Sequence, residues 1–90
     1  MALETAQAGT LESSDCLVTV GPAEGRILDV RGGNAKLFAE RTRRVVDAVL
    51  ARYGLKDVRV QIQDQGALEA TLTARIETAL DRALGKEGPR

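Results

Sequence analysis

The chain has 90 residues, thirteen basic and thirteen acidic side chains, two aromatics and no histidine. That length suits one domain with one modest core. Balanced charge and scarce aromatics argue against a nucleic-acid binder of the basic or base-stacking kind. With no histidine and a single cysteine, Cys16, the chain has no Ser-His-Asp or Cys-His pair, no zinc-ligand spacing and no internal disulfide.

Taken in order, residues 1–8 are small and polar with little to anchor them, and residues 1–7 are expected to be loose. Residues 8–20 read as a strand pair, "AGTLE" and "CLVTV" flanking the turn formers Ser13, Ser14 and Asp15. "GPAEG", 21–25, reads as a loop, and "RILDV", 26–30, as a third strand. "RGGN" then breaks the chain, with Asn34 as N-cap of a helix from Ala35 to Tyr53. Its apolar stripe is Phe38, Val45, Val46, Val49, Leu50 and Tyr53, and Gly54 is its stop.

"DVRVQIQ", 57–63, alternates with Val58, Val60 and Ile62 on one face, the pattern of a half-buried strand. Asp64 and Gly66 form a turn. A second helix follows from about Ala67 to Leu84, with Leu68, Leu72, Ile76, Leu80 and Ala83 in a stripe and Gly85 at its end. Residues 86–90 read as a frayed tail. The order β-β-β-α-β-α predicts an α+β, two-layer sandwich over residues 1–90, with both helices on one face of a small sheet and the other face wet.

Few residues offer chemistry. Arg41, Arg43 and Arg44 form either a docking patch or a solvated helix face. The i,i+4 pairs Glu40–Arg44 and Arg43–Asp47 favour the solvated face. Cys16 follows the acidic Glu12 and Asp15, the wrong surroundings for a reactive thiol, and reads as a core residue. Gly32-Gly33 lacks the rest of a phosphate-binding fingerprint and reads as a strand-to-helix turn that needs positive φ. The serines of "ESSD" are turn formers by composition.

A resemblance changes the reading of those serines. "AGTLESSDCLVTVGP" at 8–22 resembles the amino-terminal signature of the citrate lyase acyl carrier proteins, the γ subunits. Residues 49–80 are similar to the second half of that family, in which a strand runs into a D-x-G-A-L turn and then a helix. Asp64, Gly66, Ala67, Leu68 and Arg75 fall on its pattern. The resemblance covers almost the whole chain, least at 23–35, and G-T-L-E-S is its specific part. The helix-start D-S-L motif of ordinary phosphopantetheine carriers is absent.

The resemblance implies that Ser13, the serine after the glutamate, carries a 2'-(5''-phosphoribosyl)-3'-dephospho-CoA arm on a phosphodiester, attached by a prosthetic-group transferase. Ser14 is not the expected attachment point. Glu12 and Asp15, read as exposed, are possible recognition marks for a basic partner surface. No residue of the chain is expected to be catalytic or to bind a metal. The implied cycle holds acetyl and citryl thioesters on the arm, with the alpha (transferase) and beta (lyase) subunits converting citrate to acetate and oxaloacetate. A sister complex, citramalate lyase or malonate decarboxylase, and a small scaffold module are the alternatives. No apolar run approaches the roughly 20 residues that span a bilayer, and the start lacks the basic-then-apolar layout of a secretory signal. A cytoplasmic protein that binds neither membrane nor nucleic acid is expected.

Overall fold

The computed structural model describes residues 3–86. Its elements run β1 (Ala6–Gly9), β2 (Cys16–Pro22), β3 (Arg26–Arg31), α1 (Ala39–Tyr53), β4 (Val58–Asp64) and α2 (Glu69–Ala83), the α+β order read from the sequence. The strands form one sheet in the order β1-β2-β4-β3. β1 and β4 each pair antiparallel with β2, whereas β3 and β4 are parallel. A parallel neighbour needs a long crossover, and α1 supplies it.

The alternation in β4 decides which face is covered. Val58, Val60 and Ile62 are buried, whereas Arg59, Gln61 and Gln63 are exposed. The register sets Ile62 opposite Val18 and Val60 opposite Val20, so two strands present one apolar surface. Val45, Val46, Val49 and Leu50 of α1 join Leu72, Ile76, Ala79 and Leu80 of α2 in the same buried cluster. Removing this surface from water is the main favourable term in the fold.

Several boundaries differ from the sequence reading. β1 starts at Ala6, inside the stretch expected to be loose, because Ala6 and Gln7 pair with Val20 and Thr19. The Glu4 amide also donates to the Ala83 carbonyl at 3.0 Å, which ties this segment to the end of α2. Lys86, placed in the frayed tail, donates its amide to the Asp81 carbonyl at 2.8 Å. Met1, Ala2 and residues 87–90 lie outside the described residues. β2 runs through Gly21 and Pro22, read as loop, because both continue the ladder with β4.

α1 begins at Ala39, with Phe38 rather than Asn34 at its N-cap. Residues 33–38 form turns, in which the Asn34 carbonyl accepts the Phe38 amide. α2 begins at Glu69, after Leu68 in extended backbone. Phe38 and Leu68, counted in the apolar stripes, therefore precede their helices and are exposed.

The charged face of α1 is also wired differently. Arg43 pairs with Glu40, Arg44 with Glu69 on α2, and Asp47 with Arg26 on β3. Two long-range partners and one i,i+3 contact replace the expected i,i+4 pairs, and Arg41 leaves the solvated face. Gly32 has φ +134, as the strand-to-helix turn required, and a Cβ there would lie 2.1 Å from the Asp64 carbonyl oxygen.

Replacing Ile62 with aspartate puts an unpaired carboxylate into the core, and the expected loss is about 4 kcal/mol or more. Gln61→Thr, on the wet face of the same strand, is expected to change stability by about 0.5 kcal/mol or less. Urea denaturation of both variants checks the face assignment, and similar losses for the two would contradict it.

Candidate functional site

The loop 10–15 joins β1 to β2 and holds both serines. It leaves the sheet at Gly9, whose φ is +102. A Cβ at Gly9 would lie 1.9 Å from the Cys16 carbonyl oxygen, so a larger residue would push the strands apart where the loop begins. That carbonyl instead accepts the Thr10 amide at 3.2 Å.

Asp15 organises the loop. Its carboxylate accepts the Thr10 hydroxyl at 2.7 Å and the Cys16 amide at 2.7 Å. It also takes a two-pronged contact from Arg75 on α2, Nε at 3.0 Å and Nη2 at 2.8 Å. Charged, bidentate hydrogen bonds are the strong kind. Asp15 was read as an exposed recognition mark, yet its side chain is only 14% exposed and its oxygens face these donors. The Arg75 contact, followed by the Thr10 and Cys16 hydrogen bonds, holds its carboxyl well below the ordinary value of 3.8.

The rest of the loop is pinned through its backbone. The Glu12 amide donates to the Thr10 hydroxyl, and the Asp15 amide to the Glu12 carbonyl. Ser14 donates its amide to the Gln65 carbonyl at 2.7 Å, and Gln65 returns one to Asp15 at 2.9 Å. This exchange extends the β2–β4 ladder past Cys16 and Asp64. Ser14 has φ +67, left-handed backbone in a non-glycine residue. Its Cα lies against Gly66, 4.0 Å from where a Cβ on that glycine would sit.

Ser13 stands at the outer part of this frame. Its side chain is exposed, and its hydroxyl has no hydrogen-bond partner among the described residues. The Ser14 hydroxyl is exposed as well. Glu12 is exposed and forms no ion pair among the described residues.

A second carboxylate supports the loop from behind. Asp64 is 4% exposed, and its side chain accepts the Gly66 amide at 3.0 Å and the Ala67 amide at 2.9 Å. Arg41 reaches Asp64 at 3.3 Å and the Ala67 carbonyl at 3.2 Å, and its guanidinium lies 4.8 Å above the Phe38 ring. The turn that receives Ser14 is thus locked by a charge pair of its own. Cys16 is fully buried, as read from the sequence, and burial pushes its thiol up to about 11, helped by Asp15 and Asp64.

The sequence reading missed the partners of these two carboxylates. Arg75 and Asp15 lie sixty positions apart and no local spacing links them. Arg41 was grouped with its exposed neighbours. The only signal lay in the matched pattern, where Asp64 and Arg75 both fall on family positions.

A family profile described as malonate decarboxylase delta subunit (MdcD) matches residues 3–83. Among curated proteins, the chain is 43% identical over 84 residues to the citrate lyase acyl carrier protein of Streptococcus uberis, covering 92% of this chain and 83% of that one. It is 45% identical over 83 residues to the protein of the same name from Serratia proteamaculans, covering 90% and 81%. A third such carrier, from Treponema denticola, is 41% identical over 75 residues, 83% of this chain and 86% of its own length. No solved structure matches the chain significantly. These likenesses define the class as acyl carrier protein. Within it, the chain belongs to the citrate lyase acyl carrier protein family.

The depressed carboxyl of Asp15 has a pH signature. A lowered folded-state pKa contributes stability that is present above the ordinary value and is lost as pH falls below it. Urea denaturation is therefore expected to show wild type more stable than Asp15→Asn at about pH 6, with the gap narrowing towards about pH 2. A gap that stays constant with pH would contradict the ion pair's role.

Proposed function

We propose that this protein is the acyl carrier subunit of a citrate lyase complex, with Ser13 as the point of covalent attachment. The supporting observation is the exposed, unpartnered Ser13 hydroxyl on a loop whose neighbours are held in place by Asp15 and by the Ser14–Gln65 exchange. The G-T-L-E-S block carries the resemblance that puts the attachment point at Ser13, and the carrier names of the relatives support the carrier role.

These residues fit a phosphodiester-linked phosphoribosyl dephospho-CoA group. Ser13 has open solvent for a bulky substituent and no hydrogen bond to surrender. The Arg75 guanidinium behind the loop offsets the Asp15 charge, so a phosphate on Ser13 does not meet a bare carboxylate there. Ser14 is the poorer acceptor, with left-handed backbone and its Cα against the 64–67 turn.

In loading, Ser13 Oγ forms the new P–O bond, its proton passes to a base on the transferase, and pyrophosphate leaves the triphosphoribosyl precursor. A serine hydroxyl is a weak nucleophile near neutral pH, so that base must come from outside the chain. When attached, the group supplies a terminal thiol that holds acyl groups as thioesters. The chain's own residues fix one end of the tether, and delivery to the alpha and beta subunits becomes effectively intramolecular. In this reading catalysis belongs to those subunits, and the carrier works with them in the cytoplasm. Glu12 is the candidate recognition mark, Asp15 being engaged within the loop.

Co-expression with the host's prosthetic-group transferase and its precursor-forming enzyme tests the reading, followed by the intact mass of each variant. Wild type and Ser14→Ala are expected to gain the full mass of the group, and Ser13→Ala to gain nothing. A loaded Ser13→Ala protein would overturn the assignment. The loaded carrier is also expected to release no oxaloacetate from citrate until both larger subunits are added.

A further inference from the structure

Exposed apolar side chains are unevenly distributed. Leu11 is 55% exposed, Leu37 76%, Phe38 37% and Leu68 73%. Among the described residues the fifth large apolar side chain so exposed is Ile27. The first four lie in three connections, β1 to β2, β3 to α1 and β4 to α2. The strand directions bring all three to one end of the sheet, because β3 and β4 are parallel and β2 runs against both β1 and β4. Ile27, opposite Arg59 near the start of β3, lies towards the other end.

The three connections touch. Ser14 bonds to Gln65 and packs against Gly66. Arg41 joins Ala67, next to Leu68, to the Phe38 ring. Gly32 abuts the Asp64 carbonyl. The four apolar side chains therefore stand on adjoining connections at the end of the molecule that presents Ser13, a set termed the collar. Exposed apolar clusters rimmed by charge mark contact surfaces.

Charge narrows the occupant. At this end Asp15, Asp64, Arg41 and Arg75 are all consumed in internal pairs. Glu12 and Lys36 have no ion pair among the described residues and are exposed. A complementary surface would be apolar at its centre, with a cation facing Glu12 and an anion facing Lys36.

We propose that this collar is the docking surface for the enzyme that attaches the group to Ser13. The inference rests on Ser13 being the attachment point. That enzyme has no choice of approach, because its active site must come within bonding distance of a hydroxyl at the collar. Subunits that act on the far end of a long tether need not touch this surface.

The test uses full-length unloaded carrier, the purified transferase and its activated precursor, with loading rates read by intact mass. Titration of labelled carrier with transferase alone gives the dissociation constant. Leu37→Ser and Leu68→Ser are each expected to lower kcat/KM for loading about tenfold, mainly through KM, and to weaken binding to a similar degree. Glu12→Lys is expected to weaken both and to reduce their dependence on salt. Ile27→Ser is expected to leave both unchanged, and thermal melts of all four should stay near wild type. Loading of the collar variants at the wild-type rate overturns the docking proposal and leaves Ser13 attachment standing. Wild type that never gains mass overturns both. A carrier dimer in sedimentation that Leu68→Ser dissolves, with loading unaffected, would assign the collar to self-association and likewise overturn the proposal.

Discussion

The carboxylate of Asp15 is the point on which the loop depends. One side chain accepts four hydrogen bonds: from the hydroxyl that opens the loop, from the amide that begins β2, and two from an arginine on α2. Without Arg75 the carboxylate would be largely enclosed with no cation against it, an unfavourable arrangement. With Arg75 in place, the β1–β2 connection is tied to the helix layer as well as to its own strands. The loop then has few ways to rearrange without breaking a charge-assisted contact.

A second charge pair, Arg41 with Asp64, repeats this arrangement in the neighbouring turn. The two turns are joined by the Ser14–Gln65 backbone exchange, so the surface around Ser13 is built from two locked pieces. The design suits a carrier. A long tether supplies motion, so the protein end serves best as a fixed reference with a recognisable surface. In the proposed function the chemistry is borrowed: Ser13 would offer a hydroxyl, and the base would come from the enzyme that meets it.

Much of the fold was legible because its cues are local. The strict alternation at Val58, Val60 and Ile62 gives the buried face of β4, and the spacing of Val45, Val46, Val49 and Leu50 gives the helix that covers it. The helix starts were less legible, because Phe38 and Leu68 share the spacing of the stripes they precede while standing outside the helices. Neither the parallel pairing of β3 with β4 nor the long-range partners of Asp15 and Asp64 has a local signature. Asp15 looked like an exposed turn residue because nothing near it in the chain is basic, and its cation arrives sixty residues later. The proposed role of Ser13 as attachment point comes from the resemblance carried by G-T-L-E-S, and the geometry adds the frame around that residue.

The central claim is that Ser13 is presented on a loop held still by the Asp15–Arg75 contact. Backbone order parameters from nitrogen-15 relaxation test it most directly. In unloaded wild type, the amides of Glu12, Ser14 and Asp15 are expected near the rigid-backbone value of about 0.85, and in Arg75→Gln they are expected to fall towards about 0.6 while β4 stays unchanged. Wild-type values already below about 0.6 in this loop, or identical values in the two proteins, would contradict the claim.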